Sequence, residues 1–315
     1  MKKILVLGGN GFMGKNLQEV FNTDEHLVTY KSRANGLDLT DYKGTLNVID
    51  MFKPDIIIHA AAHVGSMKYV SEFAGDVAFD NTQMYLNLYK AVANTNPNIV
   101  IINPISNCSY PGIIDVQHEE NWWDGVIHKS VESYGNPKKM GFILSECYKK
   151  QYGVKTVNLI VPNAYGPNDY IDEERTHAMN GIIMRMIKAV RRGDEDFLVW
   201  GTGSPIREWV YMPDMARLIK EIINTENFDL PNPINIGQEE GISIIDSVNT
   251  VKHMMGCDIN ITHDTTKQDG APIKVLGKKQ FSMCFPDFKF TSYENGITNT
   301  INYYKKVLWK EKRFL

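Results

Sequence analysis

Residues 3–14 read KILVLGGNGFMG: a short apolar run, then glycines at positions 8, 11 and 14, with Phe12, Leu17, Val20 and Phe21 following at near-helical spacing. An unbroken apolar run of this length suits a strand buried on both faces of a parallel sheet. The segment therefore predicts strand, glycine turn and helix in that order. Glycine at such a turn permits positive φ, lets the backbone approach a diphosphate and lets helix and strand pack closely, while the helix N-terminus favours phosphate charge. Glycine triplets alone are weak signals; the strand before and the helix after make this one a dinucleotide site.

Outward from this unit the alternation continues. HLVTY (26–30), DIIIHAAA (55–62), NIVIINPIS (98–106) and TVNLIVP (156–162) are strand-like, and the stretches 44–52, 78–95 and 134–152 are helix-like. Strands separated by helical segments predict right-handed crossovers and an α/β fold with a Rossmann-type doubly wound parallel sheet. After about residue 165 the pattern loosens into shorter pieces, FLVW (197–200) and REWVYM (207–212), among glycine turns. Residues 1–165 are thus expected to form the dinucleotide-binding portion, helped by later segments, and 166–315 a smaller C-terminal substrate-binding portion. No repeat or Pro-rich linker separates the two.

A chain of 315 residues with 43% hydrophobic content has enough apolar surface for a full core, which excludes a disordered protein. A formal charge of −3 gives no general attraction to nucleic acid or to an anionic membrane. The four cysteines, at 108, 147, 257 and 284, show no Cys-x-x-Cys spacing, so neither a zinc ribbon nor a disulfide framework is expected, and no metal. The first apolar run is too short for a signal-peptide core and no later run reaches membrane-spanning length. The expected location is the cytoplasm, with neither nucleic acid nor membrane as partner.

The second strand runs into Tyr30, Lys31, Ser32 and Arg33, where an NAD enzyme usually places an acidic residue for the ribose hydroxyls. Positive charge here suits a 2′-phosphate, with Lys31 or Arg33 assisted by Ser32, and favours NADPH. A solvated basic turn is the plainer alternative. Farther on, Ser106 ends a predicted strand, and Tyr134 precedes Lys138 by one helical turn in YGNPK. A nearby ammonium should stabilise a phenolate, and a serine hydroxyl can polarise the same carbonyl oxygen, so the trio suits ketone reduction with a nicotinamide hydride.

On GGNGFMG, PDIIIHAAAHVG, SNCSYP, YGNPKKMG, VPNAYGPND, THAMNGIIMR, WGTGSPIREWVYMPDMA and KQDGAPIK, the chain resembles the extended short-chain dehydrogenases, and within them the branch acting on GDP-linked 4-keto-sugars. The resemblance implies that NADP(H) is lined by Gly8, Asn10, Gly11, Phe12, Met13, Gly14, Ser32, Arg33, Ala60, Ala61, Ala62, Lys138, Pro162, Asn163 and Tyr165. It makes Ser106, Tyr134 and Lys138 the reductive triad. Cys108 and His177 match the acid and base that epimerise carbons 3 and 5 in some members, though a buried cysteine and a sugar-contacting histidine would look the same. Arg185, Trp200, Arg207, Asp269 and Lys274 match the GDP end, with Arg207 and Lys274 against the diphosphate. It further implies surface-polysaccharide sugar biosynthesis. A homodimer is expected through helices 78–95 and 134–152, with Tyr85, Leu88, Leu144 and Tyr148 as contacts or as core.

The family segment departs at Ile105-Ser106-Asn107-Cys108, and QHEENWWDGVIHKS (117–130) carries two tryptophans expected to reshape the acceptor pocket. Three other functions compete. A carbon-4 reductase would leave Cys108 and His177 idle. A non-catalytic NADP(H)-binding regulator typically loses the tyrosine or lysine, and both are present. A dehydratase needs an acid beside the serine, where Asn107 stands.

Overall fold

The computed structural model describes residues 1–22, 25–267 and 269–310; Gln268 of the KQDGAPIK stretch and residues 311–315 of the C-terminal portion lie outside the described residues. The opening unit forms as read: β1 (Lys3–Leu7), the glycine turn, then α1 (Phe12–Val20). It continues through β2 (Leu27–Lys31), α2 (Tyr42–Phe52), β3 (Ile56–His59), α3 (Met67–Glu72), α4 (Ala74–Thr95), β4 (Val100–Ser106), α5 (Glu132–Tyr152) and β5 (Thr156–Val161). Side-chain oxygens start two of these helices. Asp41 accepts from the backbone N–H groups of Lys43 and Gly44, and Ser66 from that of Tyr69.

The later half comprises β6 (Asn163–Tyr165), α6 (Ala178–Arg192), β7 (Asp196–Trp200), β8 (Ile206–Arg207), β9 (Trp209–Tyr211), α7 (Met212–Asn224) and β10 (Ile234–Asn235). It ends with β11 (Ile242–Ser243), α8 (Ile244–Met255), β12 (Asn260–Asp264), β13 (Ile273–Lys274), α9 (Lys279–Cys284) and α10 (Tyr293–Lys310).

The central sheet has six strands in the order β10-β5-β4-β3-β1-β2, every neighbour parallel. The chain goes from β1 to β2 on one side and returns to β3 on the other. The crevice between β1 and β3 is therefore the switch point where such sheets bind ligands, beyond the C-terminal strand ends. One face of the sheet packs Phe12 and Leu17 of α1 with Met215, Ile219 and Ile222 of α7; the other packs Leu5, Leu7 and Ile57 with α2, α4 and α5. The later half thus returns to the sheet through α7 and β10. Its own core lies among α6, α8, α10 and β7, around Ile183, Phe197, Val251 and Ile301.

Packing decides one open expectation and corrects another. Tyr85 and Leu88 are buried in the sheet-facing core, and Leu144 and Tyr148 pack against it, so these four are not an exposed dimer face. The outward-facing apolar residues of α4 and α5 include Phe79, Leu86, Met140, Ile143 and Tyr152. REWVYM is not one strand: at Glu208 the chain leaves β8, which pairs with β11 and β13, and enters β9, which pairs with β6. Glu208 makes the transfer with its backbone, its N–H donating to the Lys274 carbonyl (2.9 Å) and its carbonyl accepting from Asn163 N (3.2 Å).

Candidate active site

At the switch point Gly8 has φ +89°, and a Cβ there would lie 2.5 Å from the backbone nitrogen of Ala61 on the neighbouring loop. Only glycine satisfies both the backbone angle and this approach. A Cβ on Gly14 would strike the Gly8 carbonyl oxygen, so Gly14 lets α1 pack on the turn but does not itself line the cleft. Gly8, Asn10, Gly11, Phe12 and Met13 do line it, as do Ala60, Ala61, Ala62, Pro162 and Asn163. Tyr165, expected with them, does not. It is buried in the second core, its ring 5.5 Å from Tyr211 and 6.1 Å from Tyr293.

The cleft measures about 2040 Å³ and runs from Lys31, Ser32 and Arg33 to Trp200 and Lys274. A single drug-sized ligand occupies roughly 300–1,000 Å³, so two ligands fit end to end. The glycine cradle, the bare N-terminus of α1 and the basic end at 31–33 suit a phosphorylated dinucleotide. Arg33 is 57% exposed and already engaged, its guanidinium on Asp38 (3.1 Å) and Asp80 (3.0 Å). A 2′-phosphate would share it with these carboxylates.

Ser106 is the last residue of β4, and its Oγ accepts from Cys108 N at 3.2 Å. Ser109 Oγ donates to the Ser106 carbonyl (2.7 Å) and accepts from the indole of fully buried Trp122 (2.9 Å), which fixes the turn. Trp122 therefore braces the serine from behind. Trp123 stacks outside on Lys139, 4.9 Å from the ring, so neither tryptophan reshapes the cleft as expected. Other residues of the same stretch, Asp124 to Ser130, do line it.

Lys138 Nζ lies 5.5 Å from the Tyr134 ring centre and donates to Tyr85 Oη at 3.2 Å. Burial pulls the Lys138 ammonium down to about 8. Burial, reinforced by the neighbouring Cys108 charge, pushes the Tyr134 phenol well above its ordinary value. Burial thus dominates the resting Tyr134 phenol, while the Lys138 ammonium sits over its ring and bonds a different phenol. A phenol that keeps its proton is suited to donating it to a developing alkoxide.

Cys108 lies in the turn after β4, and Lys274 Nζ donates to its Sγ at 3.2 Å. Burial pushes this thiol up, but the Lys274 charge, bonds with Ser106 and Lys274, and the Arg207 charge outweigh it and hold it below the ordinary thiol value. His177 caps α6. Its Nδ1 lies 3.0 Å from Asp169 Oδ2, which also accepts from His177 N (2.8 Å), Thr176 Oγ1 (3.0 Å) and Asn180 Nδ2 (2.9 Å). Burial opposes charge on both partners, yet their mutual attraction wins: Asp169 is held at about 2 and His177 is raised. His177 also packs its ring 5.1 Å from that of Phe12, joining this loop to the glycine turn.

At the far end Arg185 stacks on Trp200, 4.7 Å from guanidinium to ring, and donates to the Leu198 carbonyl (2.9 Å). Trp200 is 51% exposed, an open aromatic wall. Asp269 accepts from Thr202 N and Oγ1 (3.1 and 2.7 Å) and shapes the loop, while Arg207 faces the cleft beside Gly270. Lys274, expected on the diphosphate, lines the same cleft and gives one of its donors to Cys108. Sequence reasoning missed Asp169, although it stands inside the quoted VPNAYGPND stretch eight residues before His177. It also missed Tyr69 and Tyr170, between which the Arg175 guanidinium lies in the cleft wall, and His63, which bridges Asp80 and the Tyr69 hydroxyl at 2.9 Å each. Composition carries no mark for these.

A doubly wound sheet with a glycine turn after β1, and Ser, Tyr and Lys gathered beyond its strand ends, is the arrangement of the extended short-chain dehydrogenases. The chain belongs to the NAD dependent epimerase/dehydratase family, whose sequence pattern matches residues 4–237. It is 28% identical over 310 residues to GDP-L-fucose synthase of Dictyostelium discoideum, covering 96% of this chain and 95% of that one. It is likewise 28% identical over 306 residues to GDP-L-colitose synthase of Yersinia pseudotuberculosis, covering 96% and 97%. A crystal structure of a GDP-L-fucose synthetase from Naegleria fowleri superposes with a TM-score of 0.86 at 26% identity, covering 99% of this chain and 95% of that one; its NADP-bound form gives the same values. Among the described residues no helix is long and apolar enough to cross a membrane.

Proposed function

We propose that this chain is an NADPH-dependent oxidoreductase that reduces carbon 4 of a GDP-linked 4-keto-sugar after epimerising carbons 3 and 5. The relatives' names support the GDP-sugar class, and the NADP-bound relative supports the cofactor. The observation that carries the epimerase step is the pairing of Cys108 with Lys274 and of His177 with Asp169 in the same cleft as Ser106 and Tyr134. A cation beside a thiol makes a base, and a carboxylate beside an imidazole keeps it an acid near neutral pH.

The 4-keto group acidifies the C–H bonds at carbons 3 and 5. The Cys108 thiolate takes one of these protons, the electron pair moves into the enolate, and Ser106 and Tyr134 hold the enolate oxygen. His177 delivers a proton to the opposite face as the carbonyl re-forms, and proton return through solvent resets both groups. Bound NADPH supplies hydride to carbon 4. Tyr134 then protonates the new alkoxide while Lys138, above its ring, stabilises the phenolate left behind.

The test is NADPH and NADH oxidation measured with GDP-4-keto-6-deoxymannose and with 4-keto-sugars on other diphosphonucleosides. Turnover with the GDP sugar and preference for NADPH are expected. Equal rates whatever the nucleotide, or no turnover with any GDP sugar, would contradict the substrate class.

A further inference from the structure

Lys138 is buried, and among the described residues no carboxylate bonds its ammonium. The groups facing it are His59 from β3, Tyr85 and behind it Tyr89 from α4, and Tyr134 from its own helix, whose phenol in turn feels Cys108. His59, its ring edge-on to Tyr85 at 4.8 Å, is kept neutral by burial and by the Lys138 charge. Among the described residues, Tyr85 Oη is the polar group that hydrogen-bonds Nζ.

The direction of that bond is set far away. The backbone N–H of Asn158, which cannot reverse, donates to Asn232 Oδ1 at 3.0 Å. Asn232 Oδ1 therefore faces Asn158 as an acceptor, and Asn158 Nδ2 donates to it and to Ser145 Oγ (3.0 Å each). Asn158 Oδ1 is left to accept from Asn103 Nδ2 at 2.7 Å, and Asn103 Oδ1 to accept from the Tyr85 hydroxyl at 3.1 Å. With its proton committed to Asn103, Tyr85 offers Lys138 only lone pairs. A hydrogen bond that favours the charged form raises its population. The ring itself is admitted by Gly141, one turn beyond Lys138, where a Cβ would lie 2.6 Å from Tyr85 Cε1 and Cζ.

We propose that Tyr85 is a positioning residue of the reductive centre: a hydrogen-bond chain of fixed polarity through Asn103 and Asn158 presents its oxygen to Lys138, keeping that side chain charged and over the Tyr134 ring. This rests on Tyr134 and Lys138 being the reductive pair, and it assigns a purpose to Gly141 in YGNPKKMG.

The test is the pH profile of kcat for NADPH oxidation with GDP-4-keto-6-deoxymannose, comparing the unmodified enzyme with Tyr85→Phe and Gly141→Ala. Cys108 and His177 are unchanged in all three, so their titrations drop out of the comparison. Tyr85→Phe keeps the ring and removes the acceptor; the alkaline limb should move to lower pH by about one unit, with kcat down about twofold at pH 7 and roughly tenfold on the alkaline side. Gly141→Ala keeps the hydroxyl but displaces the ring, and should move the limb in the same direction; it is read alone if Tyr85→Phe does not fold. Superimposable profiles would overturn the role of Tyr85. Lys138→Met and Tyr134→Phe, run alongside, must lose about a hundredfold: if they do and the Tyr85→Phe profile is unmoved, only Tyr85 is mistaken, and if they do not, the reductive pair itself is misassigned.

Discussion

Tyr134 and Lys138 stand one turn apart on α5 without an opposite charge on either, whereas Cys108 and His177, in the turn after β4 and at the cap of α6, each lean on one, Lys274 and Asp169. In the first pair both groups are driven toward their neutral forms by removal from water: the amine falls to about 8 and the phenol rises. In the second, partners overcome the same desolvation and drive both groups toward charge. A reductive centre needs a proton donor that has not already lost its proton. A carbon acid needs a base and an acid ionised together, which burial alone would prevent. The first pair should therefore fail when its own atoms are removed, and the second also when the charged partner, Lys274 or Asp169, is changed.

The largest effect is expected at Tyr134. Tyr134→Phe deletes the proton donor and keeps the ring, so reduction should fall by about 10²-fold or more while NADPH affinity holds. Stopped-flow oxidation of NADPH checks it, and near-normal turnover would remove Tyr134 from the comparison. Next comes Lys274→Met, which keeps the packing and deletes the charge. With the ammonium gone, burial regains control of Cys108, its thiol titrates at higher pH, and less thiolate is present at pH 7. Solvent-deuterium exchange should slow by about tenfold and recover as pH is raised, while hydride transfer to an already epimerised sugar changes far less. Equal losses in both steps would mean that Lys274 serves binding and not the thiol. The smallest effect belongs to Arg33, half in solvent and shared between Asp38 and Asp80. Such exposed pairs contribute about 1 kcal/mol or less, so Arg33→Ala should raise the Kd for NADPH roughly fivefold and leave that for NADH unchanged. An equal rise for both cofactors in a fluorescence titration would show that Arg33 does not read the 2′-phosphate.

The contrast between the pairs also marks what the sequence discloses. Tyr134 and Lys138 are four residues apart on one helix, and β1, the glycine turn and α1 follow one another within eighteen residues; local periodicity is enough for both. Lys274 meets Cys108 across 166 residues, and no spacing rule reaches that far. β10, two residues long, completes the central sheet on pairing with β5 alone and is too short to show a period. Between the two places the sequence left open for Tyr85 and Leu88, a subunit face or the core, packing selects the core, because α4 is wrapped by α2, α5 and the sheet and its apolar residues fill more than one stripe. Tyr165 failed because its ring is packed into the second core against Tyr211 and Tyr293, a long-range contact, while Asn163 and Ala164 of the same short strand line the cleft.

The most direct test of two separate chemistries in one cleft is to incubate the unmodified enzyme with GDP-4-keto-6-deoxymannose in D2O without NADPH and to follow carbons 3 and 5 by NMR. Charge-paired Cys108 and His177 predict deuterium at both carbons before any reductant is added, and loss of that incorporation in Cys108→Ser. No deuterium in the unmodified enzyme, together with brisk reduction once NADPH is supplied, would contradict the epimerase pair and leave a plain carbon-4 reductase.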